Sequence, residues 1–260
     1  MQSLRNTRVL ITGAGLRIGR QLALSFADAG ASVVIHYHRS EKEAHSLFEQ
    51  LNTTGEGHEL ICADLADQDA LRGLIPRLIG KGLGLNCLVN NASFYRRCAL
   101  MEVDRKRILN DYEINFVAPF LLMRDFAYYC EEGSIINILD QRVRTVDPCA
   151  STYGFAKKSL RDATEAAAVE WAPRIRVNAV APGLVLPPRG VPSAKMERLM
   201  ANVPMGRTSP PEEVADACLF LAAAETITGQ ILYVDGGMHL VNPVEPELQS
   251  ADYSSVDSDE

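Results

Sequence analysis

Thr12-Gly13-Ala14-Gly15-Leu16-Arg17-Ile18-Gly19 is the stretch whose reading decides the fold. It follows the apolar, strand-like run Arg8–Thr12 and opens a helical pattern over 17–30. Glycines between a first strand and a first helix let the backbone approach a ligand closely, and the helix N-terminus behind them attracts a pyrophosphate. The stretch therefore predicts a dinucleotide loop, with Gly13, Arg17, Ile18 and Gly19 against the cofactor. A plain turn is the competing reading.

Outward from that loop, short strand-like runs alternate with helical stretches. The strand runs are Ser32–Tyr37, Glu59–Ala63, Asn86–Asn90, Ser134–Leu139, Arg176–Val180 and Gln230–Val234; helical patterns lie at 41–52, 67–79, 104–131, 151–172 and 211–223. Near-continuous apolar strands separated by helices predict one doubly wound Rossmann α/β domain over 1–240, a seven-stranded parallel sheet with helices on both faces. Pro119 falls inside the pattern 104–131 and predicts a kink or break there. The irregular segment 184–209, with Pro187, Pro188, Pro192 and Pro204, reads as a substrate loop or lid.

The 260 residues are 47% hydrophobic, enough for a sizeable core. No run of about 18 apolar residues suggests a membrane span, and Met1 to Arg8 contain no signal-peptide apolar region. Cys62, Cys87, Cys98, Cys130, Cys149 and Cys218 are scattered without metal-ligand spacing, so no metal is expected and the chain reads as a reduced, cytoplasmic enzyme. The net charge of −7 is concentrated at one end: of 33 acids, Glu245, Glu247, Asp252, Asp257, Asp259 and Glu260 lie in 241–260, which has no Lys or Arg. The rest is near neutral and offers nothing for nucleic acid or a membrane surface. The segment 241–260 reads as an acidic, disordered tail.

Polar residues gather where the strand runs end. The second ends in His36-Tyr37-His38-Arg39-Ser40, where an NAD enzyme usually has an acid for the ribose 2′-hydroxyl. His38, Arg39 and Ser40 instead suit a 2′-phosphate, so NADP(H) is the expected cofactor; a basic solvent-facing loop is the alternative. Asp64 and Leu65 end the third run, with Asp64 placed for an adenine amino group. Asn91, Ala92 and Ser93 follow the fourth, Asp140 the fifth, and Pro182 and Gly183 the sixth. Ligands of open α/β sheets bind at these carboxyl ends. Asn115, in a helical stretch, has poor propensity for its position, which implies a task.

Tyr153 and Lys157 are four apart on a predicted helix and share a face. A fixed cation beside a phenol favours phenolate and should bring its pKa down from about 10 toward the working range.

Taken together, the T-G-x-x-x-x-x-G loop, Asn90-Asn91-Ala92, Asn115, the Tyr153-x-x-x-Lys157 pair, Pro182-Gly183 and Val234-Asp235-Gly236-Gly237 resemble the short-chain dehydrogenases/reductases over 6–240. Two departures, Arg17 at a loop glycine and Asp140 where a Ser usually precedes the Tyr, look like the pteridine reductases, as do His36–Ser40 and Asn90–Tyr95. That resemblance implies that Asp140 and Tyr153 protonate a pterin and that Arg17 touches cofactor phosphate and substrate. It also implies that Phe94 sandwiches the pterin, that Lys157 holds the nicotinamide ribose, and that Asn115 positions a water. The family commonly forms tetramers, here expected through helices near 104–131 and 151–172. The implied function is NADPH-dependent reduction of a pterin or folate. The rival readings are an NADPH-dependent ketone reductase, acting on a 3-oxoacyl thioester or sugar, and a cofactor-binding regulator without turnover.

Overall fold

The computed structural model describes residues 4–80, 82–186, 197 and 199–241. Seven strands form one sheet: β1 (Arg8–Ile11), β2 (Ser32–Tyr37), β3 (Glu59–Cys62), β4 (Cys87–Asn90), β5 (Gly133–Ile138), β6 (Ile175–Pro182) and β7 (Ile231–Val234). All pairs are parallel, in the order β3-β2-β1-β4-β5-β6-β7. The chain winds outward from β1 to β3, returns to β4 beside β1, and winds the other way. The switch point therefore lies between β1 and β4, and the crevice at their carboxyl ends is where such a sheet binds ligands.

The expected near-continuous apolar strands follow from burial on both faces. Along β1, Leu10 joins one core cluster while Val9 and Ile11 join the other, and all three are fully buried. The first cluster receives Leu74 of α3 (Gln68–Ile79), Phe126 of α5 (Ala118–Tyr129) and Leu160 of α6 (Ser151–Glu170). The second receives Phe26 of α1 (Arg17–Asp28), Leu47 of α2 (Glu41–Asn52) and Leu219 of α7 (Pro211–Ala223). Parallel strands need such cover because their crossovers are helices.

The pattern 104–131 is not one α-helix. It divides into α4 (Arg105–Tyr112), a π turn Glu113–Val117 and α5, with Pro119 in the first turn of α5. Proline has no N–H for the carbonyl four residues back, and its ring crowds that carbonyl. That carbonyl belongs to Asn115, so the proline breaks the α-helical register at the residue picked out as misplaced in a helix.

Of the expected substrate loop, Leu184–Leu186, 197 and 199–209 are described. Met205 N–H donates to Gly236 O at 3.1 Å and Ser209 N–H to Leu184 O at 3.0 Å, so its second half returns to the turn after β7. Pro187, Pro188 and Pro192, and the acidic stretch 242–260, lie outside the described residues. Among the described residues no helix is long and apolar enough to cross a membrane.

Candidate active site

The ends of β1 and β4 are joined by side chain to backbone bonds. Thr12 Oγ1 accepts from the amides of Asn91 and Ala92, both at 2.9 Å. The Asn91 amide group donates to the carbonyls of Thr12 at 2.9 Å and Gly13 at 3.2 Å. Gly13 has the left-handed φ of 63°, and a Cβ on Gly19 would run into the Gly13 carbonyl oxygen. Arg17 also has a left-handed φ, 51°, a conformation costing a non-glycine residue on the order of 1–2 kcal/mol. Its guanidinium is exposed and donates from Nη2 to Leu186 O at 3.2 Å. Ile18 is half-buried against the second core cluster. α1 starts without a side-chain cap and without an acid in its first turn. The N-terminal end of a helix suits an anion.

Beyond β2, only part of His36–Ser40 faces outward. His36 and Tyr37 are buried, whereas His38 and Arg39 are exposed. Ser40 meets the glycine loop: a Cβ on Gly15 would lie 3.0 Å from Ser40 Oγ. The His38 ring is 3.6 Å from Asp64, whose carboxylate also accepts from the amide of Ala66 at 2.9 Å. Leu65 packs its side chain in the first core cluster. At the far side, Gly183 N–H donates to Val234 O at 3.0 Å next to Pro182, and a Cβ there would come within 2.6 Å of Asp235 Cβ.

Asn115 is fully buried and engaged at every position. Its oxygen accepts from Ser93 Oγ at 2.7 Å and the Phe94 amide at 3.3 Å; its nitrogen donates to Phe94 O and Asp111 O, both at 2.9 Å. The π turn therefore pins the segment carrying Ser93 and Phe94 to the helix bundle. The Phe94 ring is 46% exposed, with Arg96 5.9 Å from its centroid.

Tyr153 and Lys157 share a face of α6 and are both buried. The Tyr153 hydroxyl donates to Asp140 Oδ2 at 3.1 Å. Lys157 Nζ donates to Ile138 O at 2.8 Å and is 6.0 Å from the Tyr153 ring centroid. The expected electrostatics are reversed. Burial pushes the phenol well above 10, and the Asp140 carboxylate adds to the rise. Burial also lowers the Lys157 ammonium to about 8 against the pull of Asp140. The spacing gave the shared face correctly, but one cation does not offset a dry site and a carboxylate that favours the protonated phenol.

Asp140 is engaged at both carboxylate oxygens. Oδ1 caps a short 3-10 turn, Gln141–Val143, by accepting from Arg142 N at 2.9 Å, while Oδ2 meets Tyr153. Arg142 itself went unnoticed in the sequence. Its Nη1 donates to Asp140 Oδ1 at 3.2 Å and Oδ2 at 3.0 Å, and its Nε to Asp147 Oδ2 at 2.9 Å. Burial opposes the Arg142 cation, but Asp140, Tyr95 and Asp147 outweigh burial and hold it protonated. Burial likewise raises the Asp147 carboxyl, and Arg142 with Arg97 reverses this to below the ordinary carboxylate range. Tyr95 completes the wall, its ring centroid 4.6 Å from that of Tyr153 and 5.4 Å from Arg142 Cζ. The available sequence signal was an arginine flanked by Asp140 and Asp147 in an otherwise short connection. Beneath the wall, fully buried Asp111 accepts from Arg107 Nε at 3.0 Å and from Thr152 Oγ1, which ties α4 to the residue before Tyr153.

Comparison with known proteins agrees with this arrangement. The family model described as enoyl-(acyl carrier protein) reductase matches residues 13–239. The structure of FolM alternative dihydrofolate reductase 1 from Brucella canis, complexed with NADP, is 30% identical with a TM-score of 0.88, covering 96% of this chain and 100% of that one. The same enzyme from Brucella suis, also with NADP, is 31% identical with a TM-score of 0.87, covering 94% and 99%. A 3-oxoacyl-(acyl-carrier-protein) reductase of Staphylococcus aureus is 30% identical over 239 residues, 89% of this chain and 97% of its own length.

Proposed function

The chain belongs to the short-chain dehydrogenase/reductase family, and from that premise we propose that it is an NADPH-dependent reductase of a pterin or folate. The observation that carries this reading is the Asp140 carboxylate, 3.1 Å from the Tyr153 hydroxyl. Both reductions consume a proton, but a ketone oxygen can take it from the phenol alone, whereas a dihydropteridine C=N bond is activated by protonating its ring nitrogen, which a carboxyl beside the phenol serves better. The likeness to two dihydrofolate reductases complexed with NADP supports the same reading.

The residues present fit a phosphorylated dinucleotide. Gly13, Arg17, Ile18 and Gly19 would take the pyrophosphate at the uncapped start of α1. Exposed Arg39, with His38 and Ser40, would take a 2′-phosphate on a turn that carries no acid of its own. Asp64 and Leu65 would border the adenine; Asn91, Ala92 and Ser93 the central part; Lys157 and Tyr153 the ribose; Pro182 and Gly183 the nicotinamide amide. When bound, NADPH supplies the hydride.

The protein supplies the proton. In the resting pair it sits on Tyr153 Oη, with Asp140 as acceptor. Passing it through Asp140 to a ring nitrogen leaves the pair one proton short. The resulting negative charge is faced by Arg142 and by Lys157, whose Nζ is 6.0 Å from the Tyr153 ring centroid. Phe94 and Arg17 would hold the ring. Asn115 keeps the Ser93–Phe94 backbone in place, and α5 and α6 would form the subunit contacts of a homotetramer.

A ketone reductase is the second reading, favoured by the Staphylococcus aureus relative. Initial rates of NADPH oxidation with dihydrofolate or dihydrobiopterin against an acetoacetyl thioester separate the two. We expect turnover with the pteridines. Asp140→Asn should lower it by about 10²–10⁴-fold, and Asp140→Ser should not restore it, because a hydroxyl is a far weaker proton source than a carboxylic acid. An Asp140→Ser variant with full pteridine turnover, or a wild type active only on the thioester, would favour the ketone reading.

A further inference from the structure

Resting on the pterin or folate reading, we infer that Arg142 reads the substrate ring by donating from Nη2 to a carbonyl oxygen of the heterocycle, selecting oxo-pteridines.

The guanidinium is held at two of its three nitrogens. Nε is committed to Asp147 and Nη1 to both oxygens of Asp140. Among the described residues Nη2 has no hydrogen-bond partner, and it is not one of the buried atoms lacking one. The side chain keeps 25% of its surface open. A planar fork fixed at two corners presents the third as a donor whose orientation costs little further entropy on binding.

Two features say what that donor takes. The first is charge. Arg142 and Arg97 face Asp140 and Asp147, with Arg97 3.7 Å from Asp147. Arg142 already faces two carboxylates, so a further anion such as a phosphate or carboxylate would be repelled there. A neutral carbonyl oxygen, which needs a hydrogen bond and not a counter-charge, suits the group better. The second is shape. Arg142 Cζ lies 5.4 Å from the Tyr95 ring centroid, and that ring is 4.6 Å from the Tyr153 ring. A flat heterocycle against the Tyr95 wall would meet Asp140 and Arg142 along one edge, with a nitrogen for the carboxyl and an oxo group for the guanidinium. A 3-oxoacyl thioester offers two carbonyl oxygens but no ring nitrogen for the carboxyl.

The test uses the full chain saturated with NADPH and two competitive inhibitors, 2-amino-4-oxopteridine and 2-aminopteridine, which lacks the oxygen. A hydrogen bond to a charged group contributes about 1.5–3 kcal/mol, roughly a tenfold to hundredfold difference in inhibition constant. The wild type should prefer the oxo compound by that factor. Arg142→Lys keeps a cation for the two carboxylates but places no N–H at the position of Nη2, so it should bind both alike while NADPH affinity, followed by nicotinamide fluorescence, stays within about twofold. A Lys variant that keeps the wild-type preference would overturn the assignment. So would a wild type indifferent to the oxygen, a result that needs no variant to fold. A wild type that neither binds these pteridines nor reduces dihydrofolate fails differently: it removes the pterin reading itself, and this inference with it.

Discussion

His36 shows how a titratable residue near a ligand site can be purely architectural. Its Nδ1 accepts from the Gly13 amide at 3.1 Å and its Nε2 lies 3.1 Å from Ala63 O, so the ring is neutral with its proton on Nε2. Burial lowers its pKa from 6.5 to about 4. Between those values the unfolded chain binds a proton that the folded chain refuses. The contribution is thus fully present above pH 6.5 and is lost as pH falls toward 4, about 3 kcal/mol in all. Urea unfolding at pH 7 and pH 5 should show this loss, and His36→Asn, which keeps an acceptor for Gly13, should flatten the pH dependence even if it lowers stability throughout. An identical slope in the variant would assign the acid sensitivity elsewhere. Residue types at strand ends were legible in the sequence, but their directions were not. His36 lies within β2 and is buried, whereas His38, just past the strand's end, is exposed. Arg142 escaped notice because a guanidinium between two aspartates is made by a 3-10 turn that no periodicity announces.

At the scale of elements, the turn from β2 to α2 makes the cofactor choice testable. Arg39 is exposed there and Ser40 touches the glycine loop, so the two sit beside the start of α1, where phosphates are expected. Arg39→Asp exchanges a cation for an anion beside a 2′-phosphate, and kcat/KM for NADPH should fall roughly tenfold to hundredfold with little change for NADH. Equal use of both cofactors by the wild type would refute this turn as the discriminator. The strands were legible nearly to the residue, because burial on both faces leaves a run of apolar residues with no ambiguity of register. The long helical pattern was not, because α4, the π turn and α5 run on in helical backbone with no side-chain cap at either junction. Pro119 announced a break without saying that the chain would absorb it by widening the preceding turn around Asn115.

For the whole molecule, the switch in strand order puts the candidate chemistry at the carboxyl end of the sheet and leaves the outer faces of α5 and α6 to another use. Tyr128 is 80% exposed and Val169 81%, and Phe120 and Phe155 lie open on the same two helices. Side chains of this kind on adjoining helices are what a subunit interface covers. Tyr153 and Lys157 project from the opposite side of the same α6, so an interface there would also steady the catalytic face. The wild type should therefore sediment at about four times the mass of one chain. Val169→Glu, placing an unpaired charge in the contact, should yield smaller species with a lower Tm. Turnover should fall together with Tm, since Phe155 and Tyr153 are two residues apart on one helix, and both should recover at high protein concentration as mass action restores the contact. A wild type that stays monomeric, or a dissociated variant with undiminished Tm and turnover, would show that α6 needs no partner and that this apolar face serves something else.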